Sequence, residues 1–138
     1  MRALSISLAL YLSLGLAASA APAQDIVNEC WKDHSHLQMS KCVESKARKA
    51  RVNLDNAENE TRLVIQTKND EPEYVKEMAE HFEVDEASFK RYRRDHCRFL
   101  WSLAAGGNGA ADIEAACDAE LNGDRVEQLK ALASWLIR

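Results

Sequence analysis

The chain has 138 residues, of which 29% are charged and 46% hydrophobic, with a net charge of −4 and four cysteines. That length is one domain's worth, and the mildly acidic balance argues against nucleic acid or an anionic lipid surface as partner. A basic protein partner fits it better.

Residues 1–23 read as a secretory signal peptide. Arg2 precedes an apolar run through Ala18, and small residues follow at Ala20, Ala21 and Ala23, which predicts cleavage after Ala20 or Ala23. The apolar core is short for a membrane anchor and ends beside Pro22. Cys30 lies well past the boundary, so a lipid anchor there is not indicated. The expected mature chain, 24–138, is a single domain that is periplasmic or secreted, with no membrane anchor.

Export places Cys30, Cys42, Cys97 and Cys117 where disulfides form and persist, and an even count favours two bridges over reactive thiols. No close C-x-x-C pair is present, so a zinc site fits poorly and no cofactor or metal is expected. Three connectivities are open. Cys97–Cys117 needs no distant docking, because the two cysteines bracket Gly106-Gly107-Asn108-Gly109, where the chain can turn back on itself. Cys30–Cys42 would then remain. On one continuous helix those two would stand about 18 Å apart and could not bond. A helix start at Ser35 lets the Cys30 segment fold back. The preferred pairs are Cys30–Cys42 and Cys97–Cys117, with crossed pairings still open.

In chain order, Gln24–His34 looks irregular. Ser35 and Gln38 then have the spacing of a capping box. From there Val43, Ala47, Ala50, Leu54, Ala57, Thr61 and Val64 recur in alternating steps of four and three, predicting an amphipathic helix of about 30 residues. It should stop near Lys68-Asn69-Asp70-Glu71, with Pro72 opening the next helix. The Pro72–Glu86 segment is acidic, with Val75, Met78, Ala79 and Phe82 as its apolar face, and Val84-Asp85 reads as a hinge. A further helix sets Phe89, Tyr92, His96, Phe99 and Leu103 on one side and Arg91, Arg94 and Arg98 on another. Beyond the glycines, Asp112–Leu121 reads as a short helix stopped by Asn122-Gly123. A last one turns Val126, Leu129, Leu132, Ala133, Leu136 and Ile137 inward. No alternating β-branched run occurs. The fold class is all-α: a small disulfide-braced bundle with one long N-terminal helix and a helical hairpin around a glycine loop.

No catalytic constellation emerges. His34, His36, His81 and His96 read as surface or capping histidines. His96 adjoins Asp95 and Cys97, but adjacent helix positions point apart and Cys97 is expected to be bonded. Arg91, Arg94 and Arg98 suit either a solvated face, paired with the acidic segment, or a surface for an acidic target. Gly106, Gly107 and Asn108 suit either a plain turn or a stiff projection able to enter a cleft.

These residues resemble the LprI-like lysozyme inhibitor domain of exported bacterial proteins. That family's pattern is matched by Cys30, Ser35, Gln38, Met39, Cys42 and Leu54. It continues in Phe89, Tyr92, Arg93, Cys97 and Phe99, and then in Gly106, Gly107, Cys117, Leu121, Arg125 and Leu129. The chain departs from it where Phe89 replaces a tryptophan, Glu58 a tyrosine, Arg94 an acid and Asn122 a threonine. The resemblance implies a non-enzymatic exported protein that binds lysozyme and protects the cell wall. Phe89, Tyr92, Arg93, Leu121 and Arg125 would be structural, and Gly106, Gly107, Asn108, Arg94 and Arg98 are the candidate contacts. The alternative is a periplasmic interaction or envelope-stress module that binds another envelope protein through the acidic Pro72–Glu86 face.

Overall fold

The computed structural model describes residues 23–32 and 35–137. The expected signal peptide, apart from Ala23, and His34 lie outside the described residues. Four helices follow in order, α1 (Gln24–Trp31), α2 (His36–Gln66), α3 (Pro72–Leu103) and α4 (Ala110–Leu136), and no strand occurs among the described residues. The fold is an all-α bundle braced by two disulfides.

The first correction concerns the segment before Ser35. Gln24–Trp31 is helical rather than irregular, because Ile26, Val27 and Cys30 fall on one face and pack into an apolar cluster with Met39, Val43 and Cys117. Tertiary burial decides this short helix, since eight residues are too few to be helical on propensity alone. The long N-terminal helix of the bundle is therefore α2, preceded by α1.

At the start of α2, Gln38 Oε1 accepts the Ser35 backbone N–H at 2.9 Å and closes the capping box. Val43, Ala47, Leu54, Ala57 and Thr61 are all buried along the predicted stripe, which faces chiefly α4. Thr61 satisfies its hydroxyl within the helix by donating to Ala57 O at 2.8 Å. α2 ends at Gln66, and Pro72 opens α3 at a position where no N–H is needed.

Two further breaks read from the sequence are absent. α3 runs through Val84-Asp85 without a hinge, and α4 runs through Asn122-Gly123 without a stop. Both have a physical reason. Asp85 is drawn into an ion pair with Arg125 across the α3–α4 contact rather than capping a new helix. Asn122 is fully buried in mid-helix, where its side chain accepts a hydrogen bond from Arg93 of α3 instead of bonding its own backbone.

The core divides into two apolar clusters. One gathers Cys30, Met39, Val43, Cys97, Ala116 and Cys117 near both disulfides. The other gathers Leu54, Ile65, Phe82, Val126, Leu129 and Leu136 toward the far end. Full burial of a side chain such as Leu54 or Leu129 contributes about 1.5–3 kcal/mol. Polar side chains from α2, α3 and α4 lie between the clusters and along the α2–α3 seam.

Candidate functional site

The glycine hairpin closes one end of the bundle. α3 stops because Ala105 and Gly106 take left-handed conformations, at φ 49° and 73°. The Gly107 N–H then donates to Ala104 O at 2.9 Å, and the Ala110 N–H to Gly107 O at 3.0 Å. Gly106, Gly107 and Asn108 are exposed at the tip. Below it, a disulfide joins Cys97 of α3 to Cys117 of α4, both buried, so the turn stands on a cross-linked base. A second joins Cys30 of α1 to Cys42 of α2.

Leading up to the tip, α3 turns most of the aromatic side read from the sequence toward solvent. Tyr92, Phe99 and Leu103 are 54%, 56% and 65% exposed. Tyr92 stacks on His96 with ring centroids 5.3 Å apart. The inward stripe is instead Phe82, Glu86, Phe89, Arg93, Cys97 and Leu100. It was missed because Glu86 and Arg93 occupy core positions, and a search for apolar periodicity slides past them onto the aromatic side. The available signal was the charge itself: opposite charges at matching heights on α2, α3 and α4 can be buried in pairs.

The candidate arginines divide in two. Arg98 lies over the Trp101 ring at 3.9 Å and faces Glu114 at 3.5 Å, so it is fixed beside the tip. Arg94 is exposed and meets Asp95 at 3.2 Å, with Arg91 on the same carboxylate at 3.7 Å. These pairings lie within α3 and with α4, and not with the acidic Pro72–Glu86 segment. Exposed tyrosine, phenylalanine and arginine beside a stapled tip have the composition of a protein-binding surface, where such residues supply most binding energy.

The family-motif residues Phe89, Arg93 and Arg125 sit in the interior layer. Arg93 ion-pairs with Asp118 at 3.0 Å, and Arg51 reaches the same carboxylate at 2.6 Å. The guanidinium groups of Arg93 and Arg125 lie over the Phe89 ring at 5.9 and 5.4 Å. Leu121 packs against the disulfide cluster, whereas Tyr92 is on the surface.

Beside this layer, Arg62 donates from Nη2 to both oxygens of buried Glu86 at 2.9 Å and from Nε to Glu83 at 3.0 Å. Its pKa is raised above the ordinary arginine value by the hydrogen bond to Glu83 and the nearby carboxylates, against the opposing effect of burial. Lys90 answers Glu58 at 3.0 Å. Burial, and then the like charge of Glu58, push the Glu86 carboxyl up despite Arg62 and Lys90.

A groove of about 710 Å³ opens between α2 and α3 over α4, with Arg48, Arg51, Lys90, Arg93 and Arg94 on its walls. Every one of those cations already has a carboxylate within 3.2 Å. The groove is thus an internally neutralised seam. Among the described residues, no three His, Cys, Asp or Glu side chains gather around a metal position. No helix among them is long and apolar enough to cross a membrane.

A disulfide-braced helical hairpin with a bare tip and an aromatic–arginine flank thus closes a small all-α domain. The sequence profile of the family described as Lysozyme inhibitor LprI matches residues 28–129. The chain belongs to that family. Comparison with curated proteins and with solved structures gives no match. The two disulfides and the family together point to an extracytoplasmic setting.

Proposed function

We propose that the protein is exported, loses residues 1–23 or a slightly shorter signal, and inhibits lysozyme without catalysing a reaction. The observation that carries this reading is the exposed stripe of Tyr92, Phe99 and Leu103 running into the Gly106-Gly107-Asn108 tip above the Cys97–Cys117 bridge. Glycosidic hydrolysis uses a pair of carboxyl groups in a cleft. A slim, stapled tip enters such a cleft with little ordering cost. In this reading Arg98, and Arg94 beside it, exchange their present partners Glu114 and Asp95 for those carboxylates, while the aromatic stripe covers the rim.

The test is a cell-wall lysis assay against several lysozyme types with the oxidised chain, a reduced sample and two surface variants. Dose-dependent protection should fall at least about tenfold for Phe99→Asp and for Asn108→Ala, with the helical spectrum unchanged; a drop of about 1.4 kcal/mol in binding is enough. If a folded, disulfide-bonded sample protects against no lysozyme type, the inhibitor reading is wrong. If both variants protect as well as wild type, the tip and stripe are not the contact.

A further inference from the structure

At the opposite end of the bundle, a second groove of about 470 Å³ lies between the first half of α3 and the end of α4. Its floor is apolar, made by Ile65, Met78, Phe82 and Leu136, while Tyr74 and Trp135 stand 61% and 68% exposed at its edges. A volume of this order encloses a bulky side chain or small ligand. Trp135 sits on ordered helix, since the Ile137 N–H still bonds Ala133 O at 3.2 Å and Lys68 Nζ reaches Leu136 O at 3.4 Å. Exposed tryptophan and tyrosine around an apolar hollow are what a docking hot spot requires.

The charge around the hollow says what fits. Glu77 and Asp85 line it, the latter paired with Arg125, and Glu73 and Glu80 follow on the same stretch of α3, with Glu71 just before it. Against them stand Lys76, which pairs with Glu80, and the lining His81, so the surplus around the hollow is acidic. We propose that this groove is a second docking site, which receives a cationic protein segment carrying one apolar anchor side chain. A second copy of this chain would set acidic rim against acidic rim in a two-fold contact, which repels. An anionic membrane surface is repelled for the same reason. Counted along α3, the groove lies roughly 40 Å from the glycine tip at 1.5 Å per residue. The site is therefore separate from the proposed lysozyme contact and stands or falls without it.

The probe is a short amphipathic peptide of lysines and leucines, with a glutamate–leucine peptide of the same pattern as control. The full oxidised chain carries Trp31→Phe and Trp101→Phe, leaving Trp135 as the fluorescent reporter. The lysine peptide should shift that emission saturably and weaken at least about tenfold between about 0.05 and 0.5 M salt. By calorimetry, Trp135→Ala and, separately, Glu77→Lys should each weaken binding about tenfold or more. Both residues are exposed, so the helical spectrum should hold, and Glu77→Lys should leave lysozyme inhibition unchanged. Equal binding of the glutamate peptide, or indifference to both substitutions, would overturn the proposal. So would a dimer in sedimentation that Trp135→Ala disperses, because the groove would then be filled by a second copy.

Discussion

Arg93 of α3 donates a 2.6 Å hydrogen bond from Nη1 to Oδ1 of Asn122 on α4, and Asn122 has no exposed surface at all. The same guanidinium ion-pairs with Asp118 one turn earlier on α4. The family-motif arginine thus ties two helices through two partners, on a level where neither apolar cluster reaches.

Truncating that arginine should therefore be among the costliest single changes in the chain. Arg93→Ala leaves Asn122 Oδ1 buried without its donor and Asp118 with Arg51 as its remaining cation. The expected loss is about 2–4 kcal/mol in urea unfolding. Arg93→Lys should recover only part of it, because an ammonium cannot span both partners as the planar fork does. Full recovery by lysine would mean that charge alone matters there.

The all-α class and the α2 stripe were legible in the sequence because they rest on local signals. Ser35 and Gln38 mark a start, Pro72 marks another, and apolar side chains from Val43 to Thr61 recur at helical spacing. What stayed hidden depends on partners distant in sequence. Asn122-Gly123 reads as a stop until Arg93 is known to hold Asn122 inside the bundle, and Val84-Asp85 reads as a hinge until Arg125 is seen to pair with Asp85. The outward turn of Tyr92 and Phe99 follows from burial of Glu86 and Arg93, which apolar patterning alone does not anticipate. The candidate tip was visible from its glycines. Its aromatic flank became apparent only once the inner face of α3 was known.

The Glu58–Glu86 pair makes stability depend on pH in a definite direction. Glu86 is held above its ordinary value of 4.5 by burial first and by Glu58 second. A carboxyl raised in the folded state contributes stability that is fully present below the unfolded value and is lost as pH rises through the folded one. Thermal midpoints measured from about pH 4 to 7 should therefore show Glu86→Gln gaining on wild type as pH rises. Glu58→Gln should reduce the same slope by removing the like charge while leaving the burial. A wild-type to Glu86→Gln difference that stays flat across the range would remove this account.

The two disulfides should have unequal consequences. Cys97–Cys117 joins α3 to α4 across a separation of 20 residues, whereas Cys30–Cys42 spans 12 and fastens the short α1 to α2. Replacing Cys97 and Cys117 together by serine should lower global stability by about 3 kcal/mol and weaken lysozyme inhibition with it. The Cys30→Ser, Cys42→Ser variant should mainly release α1, which otherwise holds through Ile26, Val27 and the Lys46–Glu29 pair at 2.9 Å. Limited proteolysis separates the outcomes: early cleavage between α1 and α2 in the second variant, with the three long helices still protected. Equal global destabilisation by both would show that α1 is part of the cooperative core.

The hairpin offers a comparison between two glycines three residues apart. Gly106 has a φ of 73°, where a Cβ meets no neighbour but the backbone itself is unfavourable for an L side chain. Gly109 has a φ of −91° at the start of α4 and open space around its Cβ position. Gly106→Ala should thus destabilise the protein by about 1–2 kcal/mol through left-handed strain alone. Gly109→Ala should be neutral or stabilise by up to about 1 kcal/mol, because it restricts the unfolded chain without straining the folded one. Differential scanning calorimetry on the two variants reads the difference directly. Should Gly106→Ala melt with wild type, the turn takes another conformation in solution. The tip that the inhibitor reading depends on would then have to be redrawn around a Gly107-Asn108 bend.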